Sequence, residues 1–492
     1  MRGWTCVLAA FCVVLTGTRV ASGWWPSQAT TLCERPTLAA AWEGRRAANR
    51  AETANAAAAE PPATEAPAQE DPVAARDLLE RFFREADEDA RRTLAEQFGE
   101  VVPSDWKAVK RMLHEAAPRE PLTPGTHEFK ATGGDPVPPI RYVLRVPEGY
   151  EPNRPHGLPL IVACHWTKST AERAMKWIGW VLGPDLDNYL VACPDSPDPD
   201  IYRAGRVTNT YPLHVLADVR RRANVDADRV VLTGYSRGGY QTWATALFSP
   251  GLWAGAVPIA SAPISEAGLV TSRMYLANVL NLPIQTHWGD RDIIKGQAEG
   301  INTLSKKAAE WFAGKNAEHF EGIEYEGQGH DLDLEGDRIR AFVAKVRRNS
   351  WPERIDFLFH RLHEGRAYYV RATKAAVPGI DFRDRVPVRG VRLPEKVPEA
   401  LQRIWTRKGY HLTVRLDAER NLIAVMARNL TEVAVDLPAE RLDFARPIHV
   451  TVNSRTRYGK QQPVDWACLL ETARETYDFE RLVGRRVTAT AR

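Results

Sequence analysis

The chain has 492 residues, 44% of them hydrophobic, and a formal net charge of +4, which suits about two to four domains with one large core beside a smaller one. A charge that small, with basic and acidic residues interspersed, argues against a nucleic-acid partner. There is no C-x-x-C pair, no basic tract interleaved with aromatics and no repeat of fixed period, and the classes those features mark drop out.

Residues 1–23 begin with Arg2, continue through the apolar run Val7 to Leu15 and end on the small residues Ala21-Ser22-Gly23. The run is too short to span a bilayer comfortably, so it reads as an export signal, with an uncleaved N-terminal anchor as the alternative. The mature chain would then be periplasmic or extracellular and keep Cys33, Cys164, Cys193 and Cys468. That is no disulfide framework. Cys164 and Cys193 read as small buried hydrophobes, and a bridge between them is the less favoured alternative.

Residues 24–72 read as a disordered linker, since Ala47 to Pro72 is mostly Ala, Glu, Pro and Thr. A helical preface over 73–118 follows. Leu78, Leu79, Phe82 and Phe83 share one face, and Ser104-Asp105 is placed to cap a helix carrying Trp106, Val109, Met112 and Leu113.

From Thr126 the pattern changes to short strands: His127–Thr132, Ile140–Val146, Leu160–Cys164, Tyr189–Cys193, Val230–Leu232, Ala256–Ala260, Ile284–His287 and Gly322–Tyr325. Tyr211–Ala223 has helical period. Apolar strands alternating with helical segments imply an α/β fold with a mostly parallel central sheet over residues 119–350. Such a sheet gathers reactive groups at the carboxyl ends of its strands.

Three of those ends carry chemistry. Gly234-Tyr235-Ser236-Arg237-Gly238 is a G-x-S-x-G between a strand and a helix; Asp290 and Asp292 follow the seventh strand; His330 follows the eighth. A serine hydroxyl is a poor nucleophile until an imidazole takes its proton, and the imidazole needs a carboxylate to fix its tautomer. Ser, Asp, His is the chain order that goes with such an elbow.

The segment Thr126 to Val346 resembles an alpha/beta-hydrolase, being most similar to secreted esterases of the polyhydroxybutyrate-depolymerase, feruloyl-esterase and prolyl-oligopeptidase-like (S9-like) groups. The resemblance implies that Asp292, three residues after Gly289, is the acid, with Asp290 as fallback. It also implies that the turn His165-Trp166-Thr167 supplies an oxyanion N–H from Thr167, to pair with the N–H of Arg237. Trp166 stands where the family has glycine, so its own N–H is the other candidate. His165, Tyr235 and Trp288 are candidates for lining a substrate pocket, and Trp166, Trp177 and Trp180 for an aromatic wall, although tryptophan is more often core. His360 and His363-Glu364 do not match H-E-x-x-H, so no metal is expected and no cofactor is needed.

Residues 351–492 read as a smaller, mainly β module. Ile355–Leu362 and Ala367–Ala372 flank Glu364-Gly365 like a hairpin; strands recur near Leu412, Leu422–Ala427, Val433–Leu437, Ile448–Val452 and Arg486–Thr490, with a helix near Ala467–Tyr477. Shielding the catalytic domain is favoured slightly over binding a polymeric substrate. The expectation is an exported serine hydrolase acting on a small or polymer-linked carboxylic ester, with no membrane span after signal cleavage. A prolyl-oligopeptidase-like peptidase and a non-catalytic hydrolase-fold binding protein are the alternatives. Oligomeric state is not legible.

Overall fold

The computed structural model describes residues 70–133, 137–196, 210–263, 273–293, 300–380 and 397–491. The expected signal and nearly all of the linker lie outside them, as does the separate unit Met1–Pro67. Every described element belongs to the second unit, Ala68–Arg492.

Three amphipathic helices open the described chain: α1 (Pro72–Arg84), α2 (Glu88–Val101) and α3 (Trp106–Ala116). Asp71, Asp87 and Asp105 each accept a hydrogen bond from a first-turn N–H of the helix that comes after, satisfying donors that have no intrahelical partner. The stretch that carries Leu78 through Phe98 is thus two helices, broken at Glu85–Asp87 where a cap restarts the chain.

The large sheet comprises β1 (Gly125–Ala131), β2 (Ile140–Val146), β3 (Leu158–Cys164), β4 (Leu190–Pro194), β5 (Val225–Tyr235), β6 (Gly255–Ile259), β7 (Ile284–Gly289) and β8 (Phe320–Tyr325). Its spatial order is β1-β2-β4-β3-β5-β6-β7-β8. β2 runs antiparallel to both neighbours, and every pairing from β4 to β8 is parallel. Helices α4 (Ala171–Leu182), α5 (Tyr211–Arg222), α6 (Arg237–Phe248), α7 (Ile301–Ala313) and α8 (Gly336–Lys345) belong to the same segment. Two apolar clusters share the sheet's residues: Leu160, Val162, Val230 and Leu232 go into one with α5 and α6, and Ile161, Ala163, Val231 and Val257 into the other with α4 and α8. Adjacent strand residues point to opposite faces, so an unbroken apolar run is what a strand covered on both sides requires. This is the alpha/beta-hydrolase arrangement. Cys164 and Cys193 are buried, free thiols in it, and burial pushes the Cys164 thiol up to about 12.

The remaining strands form two sheets that share one core. One comprises β9 (Arg354–Phe359), β12 (Tyr410–Asp417), β13 (Leu422–Arg428), β15 (Ile448–Val452) and β16 (Arg455–Lys460); the other comprises β10 (Arg366–Ala367), β11 (Val370–Ala375), β14 (Leu430–Pro438) and β17 (Val483–Thr490). Their spatial orders are β16-β15-β13-β12-β9 and β10-β11-β14-β17. Leu412, Val414, Ile423 and Val425 of one sheet meet Val433, Val435 and Val487 of the other. Apart from the parallel pair β13–β15 the pairings are antiparallel.

The expected hairpin across Glu364-Gly365 does not form. β9 pairs with β12, while the hairpin is the tighter β10–β11 turn through Tyr368, whose φ is 55. A partner outside the module draws β9 away: Asn278 accepts the N–H of Leu358 and donates to its carbonyl (2.8 and 2.9 Å), and His360 bonds Tyr275 and the carbonyl of Trp405. An otherwise open sheet edge is thereby covered. That accounts for the ring nitrogens of His360, while Glu364 pairs with Arg361 (3.0 Å).

Helix α9 (Val397–Lys408) precedes β12, and α10 (Trp466–Thr476) precedes β17. The second of these shares a core with the opening helices, where Phe82, Phe83, Leu94, Phe98 and Leu113 pack with Leu469, Leu470 and Phe479. The two ends of the described chain therefore close one helical layer, a juxtaposition no local sequence signal announces.

Candidate active site

The central strand β5 is paired on both sides, and at its carboxyl end the chain turns sharply into α6. Ser236 occupies that turn with φ 54 and ψ −117. Holding a non-glycine residue there costs about 1–3 kcal/mol, and the surroundings fix it: the Ser236 N–H donates to the Ile259 carbonyl (2.9 Å), and the Ser236 carbonyl accepts from the Tyr240 N–H (3.0 Å). Gly238 is required by a close approach, since a Cβ there would run into the backbone carbonyl of Cys164. The same approach brings the first turn of α6, beginning at Arg237, against the turn at His165.

Ser236 Oγ lies 2.8 Å from His330 Nε2, and His330 Nδ1 lies 2.9 Å from Asp292 Oδ2. Asp292 is buried and His330 is partly open to solvent. The hydrogen bond to Asp292 raises the His330 imidazole above its ordinary value, against the opposing effect of burial. The loops that carry the two residues are joined by the Arg291 N–H donating to the Gln328 carbonyl (2.9 Å) and the Asp290 N–H donating to the Tyr325 carbonyl (3.1 Å). Gly289 lets them approach, because a Cβ there would strike the Gln328 and Gly329 carbonyls. Asp290 takes part through its backbone; the carboxylate that meets His330 is that of Asp292.

His165 is buried at the end of β3. Its Nε2 accepts from the Ser196 N–H (2.9 Å), so the proton sits on Nδ1, which donates to the Trp166 carbonyl (2.9 Å). Burial holds its pKa below the usual imidazole value. With both nitrogens engaged, His165 braces the turn rather than lining a pocket. The Ser169 N–H closes that turn on the Trp166 carbonyl (3.1 Å), with Lys168 at φ 59 and Thr167 exposed. Trp288 is core: it clusters with Tyr240 and Ile301 and donates to Glu324 (3.2 Å).

Tyr235, the residue before the serine, has a part the sequence does not disclose. Its hydroxyl donates to the His330 carbonyl (2.6 Å) and accepts from the Leu332 N–H (3.0 Å), stapling the histidine loop to the elbow. Tyr235→Phe removes both bonds, each worth about 0.5–1.5 kcal/mol; with His330 as the base that the resemblance implies, the substitution is expected to lower kcat for an aryl ester about tenfold with KM nearly unchanged. Steady-state kinetics decide the matter: a raised KM at constant kcat would make Tyr235 a pocket residue instead of a positioning one.

On the other side of Tyr235, Trp166, Arg173, Lys176, Trp177 and Trp180 line an open hollow. The Trp177 ring meets the Tyr235 ring edge-on at 6.1 Å, and Tyr235 meets the His330 ring at 6.2 Å.

No family model matches the chain. Poly(3-hydroxyalkanoate) depolymerase C of Paucimonas lemoignei is 24% identical over 231 residues, which are 43% of this chain and 54% of that protein. The chain thus spans about half the length of the curated relative it matches. Among solved structures, a thermostable esterase is similar at 22% identity and TM-score 0.34 over 45% of this chain and 63% of its own. The poly(3-hydroxybutyrate) depolymerase LpqC of Bordetella parapertussis is similar at 18% identity and TM-score 0.33, over 49% and 91%.

Proposed function

We propose that this chain is an exported serine hydrolase that cleaves carboxylic esters through an acyl-enzyme on Ser236. The observation that carries the reading is the relay from Ser236 Oγ through His330 to Asp292, with heavy-atom separations of 2.8 and 2.9 Å, at the strand ends where a parallel sheet collects its reactive groups.

In this mechanism His330 Nε2 takes the hydroxyl proton as Oγ bonds to the acyl carbon, and the carbonyl electron pair moves onto oxygen. The N–H of Arg237, at the start of α6, and that of Thr167 or Trp166 receive the negative charge; one such donor is worth about 10²–10³ in kcat. Collapse of the intermediate breaks the bond to the alcohol oxygen, which leaves with the proton held on His330. Water then attacks the acyl-enzyme, giving its proton to His330, and Ser236 Oγ departs with that proton restored. Asp292 keeps the Nδ1 proton in place throughout. The name of the Paucimonas relative makes oligomers of hydroxyalkanoic acids the first esters to try. Residues 73–118 and 351–492 would buttress the 119–350 catalytic domain.

A fluorophosphonate probe followed by peptide mapping tests the reading. A single adduct on the peptide carrying Ser236 is expected; folded protein that takes up no probe, or takes it up at another serine, would overturn it.

A further inference from the structure

The hollow beside Tyr235 has a composition that a solvated helix face does not need. Along α4, Arg173, Lys176, Trp177 and Trp180 fall at helical spacing on one outward stripe, about 10 Å long at 1.5 Å rise per residue. Trp180 is 62% exposed. Trp166 joins the stripe from the turn beside the serine. Among the described residues, neither Arg173 nor Lys176 has a carboxylate in ion-pair range, whereas Glu172, one position round the helix, is paired with Arg141 (2.5 Å). The exposed indole of Trp180, beside the half-buried ones of Trp166 and Trp177, favours an apolar ligand that stacks on it. Two cations set among those rings would lose hydration against a neutral apolar ligand and gain nothing for it. A ligand both apolar and anionic satisfies the whole stripe. The contacts from Trp177 through Tyr235 to His330 make that stripe continuous with the reactive serine.

We propose that this hollow binds the carboxylate-bearing end of an apolar ester chain, so that the enzyme acts on the acid ends of oligoesters rather than on neutral mid-chain segments. The inference rests on the ester-hydrolase reading above. A linear hydroxyacid oligomer suits it, since its backbone is apolar between esters and one end is a free carboxylate. The carboxylate lies against Arg173 and Lys176, the intervening units stack on Trp177 and Trp180, and the scissile ester reaches Ser236 past Trp166 and Tyr235.

The test compares the trimer of 3-hydroxybutyric acid as free acid and as methyl ester. At low salt the acid is expected to show kcat/KM on the order of fivefold higher, the size that exposed ion pairs supply, with the ratio shrinking as salt rises. In the double variant Arg173→Gln/Lys176→Gln the ratio should fall to about one. Equal turnover of acid and methyl ester by wild type, or a preference that survives in the double variant, overturns the proposal while leaving ester hydrolysis standing. Tryptophan fluorescence of Ser236→Ala protein separates the two readings: quenching by the acid and not by the methyl ester supports the subsite even if wild type turns over neither, and equal response to both sinks it.

Discussion

Asp292→Asn is expected to lower kcat on an aryl ester by about 10⁴-fold without unfolding the protein, and Ser236→Ala to abolish the acyl-enzyme altogether. An amide at position 292 can turn its NH2 toward His330 Nδ1, which then has to accept; the ring proton moves to Nε2, and the nitrogen facing Ser236 Oγ can no longer take a proton. The geometry would survive while the tautomer would not. A second readout comes from the pKa of His330, which the bond to Asp292 raises above the ordinary imidazole value of 6.5. In the proposed mechanism His330 acts as base only when neutral, so kcat/KM should fall as pH drops through a midpoint above 6.5. In Asp292→Asn the residual activity should have its acid limb displaced downward, because the group that raised the pKa is gone. Asp290→Asn is the control, with a carboxylate that does not meet His330; a large loss there beside a mild one in Asp292→Asn would reverse the assignment of the acid.

What the sequence discloses, and what it does not, divides by the range of the forces involved. The apolar runs Leu160–Cys164 and Val230–Leu232 are legible because a strand covered on both faces cannot alternate. The elbow is legible because its glycines are spaced about Ser236 itself: a Cβ on Gly234 would strike the Gly238 carbonyl two residues past the serine, even though the demand on Gly238 comes from the distant Cys164 carbonyl. The hairpin expected at Glu364-Gly365 fails because turn residues report a reversal of the chain, not the partner of the strand before it; β9 takes its neighbours from β12 and from Asn278. Trp288 leaves the expected pocket for a similar reason. Proximity in sequence to a catalytic loop says nothing about the face of the strand on which a side chain lies, and on its face Trp288 meets Tyr240 and Ile301. The role of the Tyr235 hydroxyl has no sequence signal, since the position before Ser236 carries no required residue type and its two partners lie 95 and 97 residues away.

Distance in sequence also hides the contact on which the second large effect depends. Asp478 is buried and bonds Arg348 through both oxygens (2.6 and 2.7 Å), with Arg220 Nη1 at 3.6 Å. Arg348 in turn reaches Asp228 on β5 (2.9 Å), so the Asp478 carboxylate links the β module, through Arg348, to the strand that leads into Ser236. Asp478→Asn would leave Arg348, Arg220 and the nearby buried Arg481 without their shared counter-charge, and breaking a buried pair from one side costs about 3–5 kcal/mol. The arginines hold the Asp478 carboxyl well below the usual carboxylate range despite its burial. A depressed folded-state pKa means stability that is full above the unfolded value near 3.9 and is lost as pH falls below it. Urea unfolding at pH 7 should therefore show a clearly lowered midpoint for Asp478→Asn, and the gap to wild type should narrow as the pH is brought below about 4. Equal midpoints at pH 7 would mean that Asp478 is not needed to offset the buried arginines, and the β module would then have to be held to the large-sheet segment chiefly through Asn278, which joins Leu358 to the Leu247 carbonyl on α6, through His360 on Tyr275, and by apolar contacts.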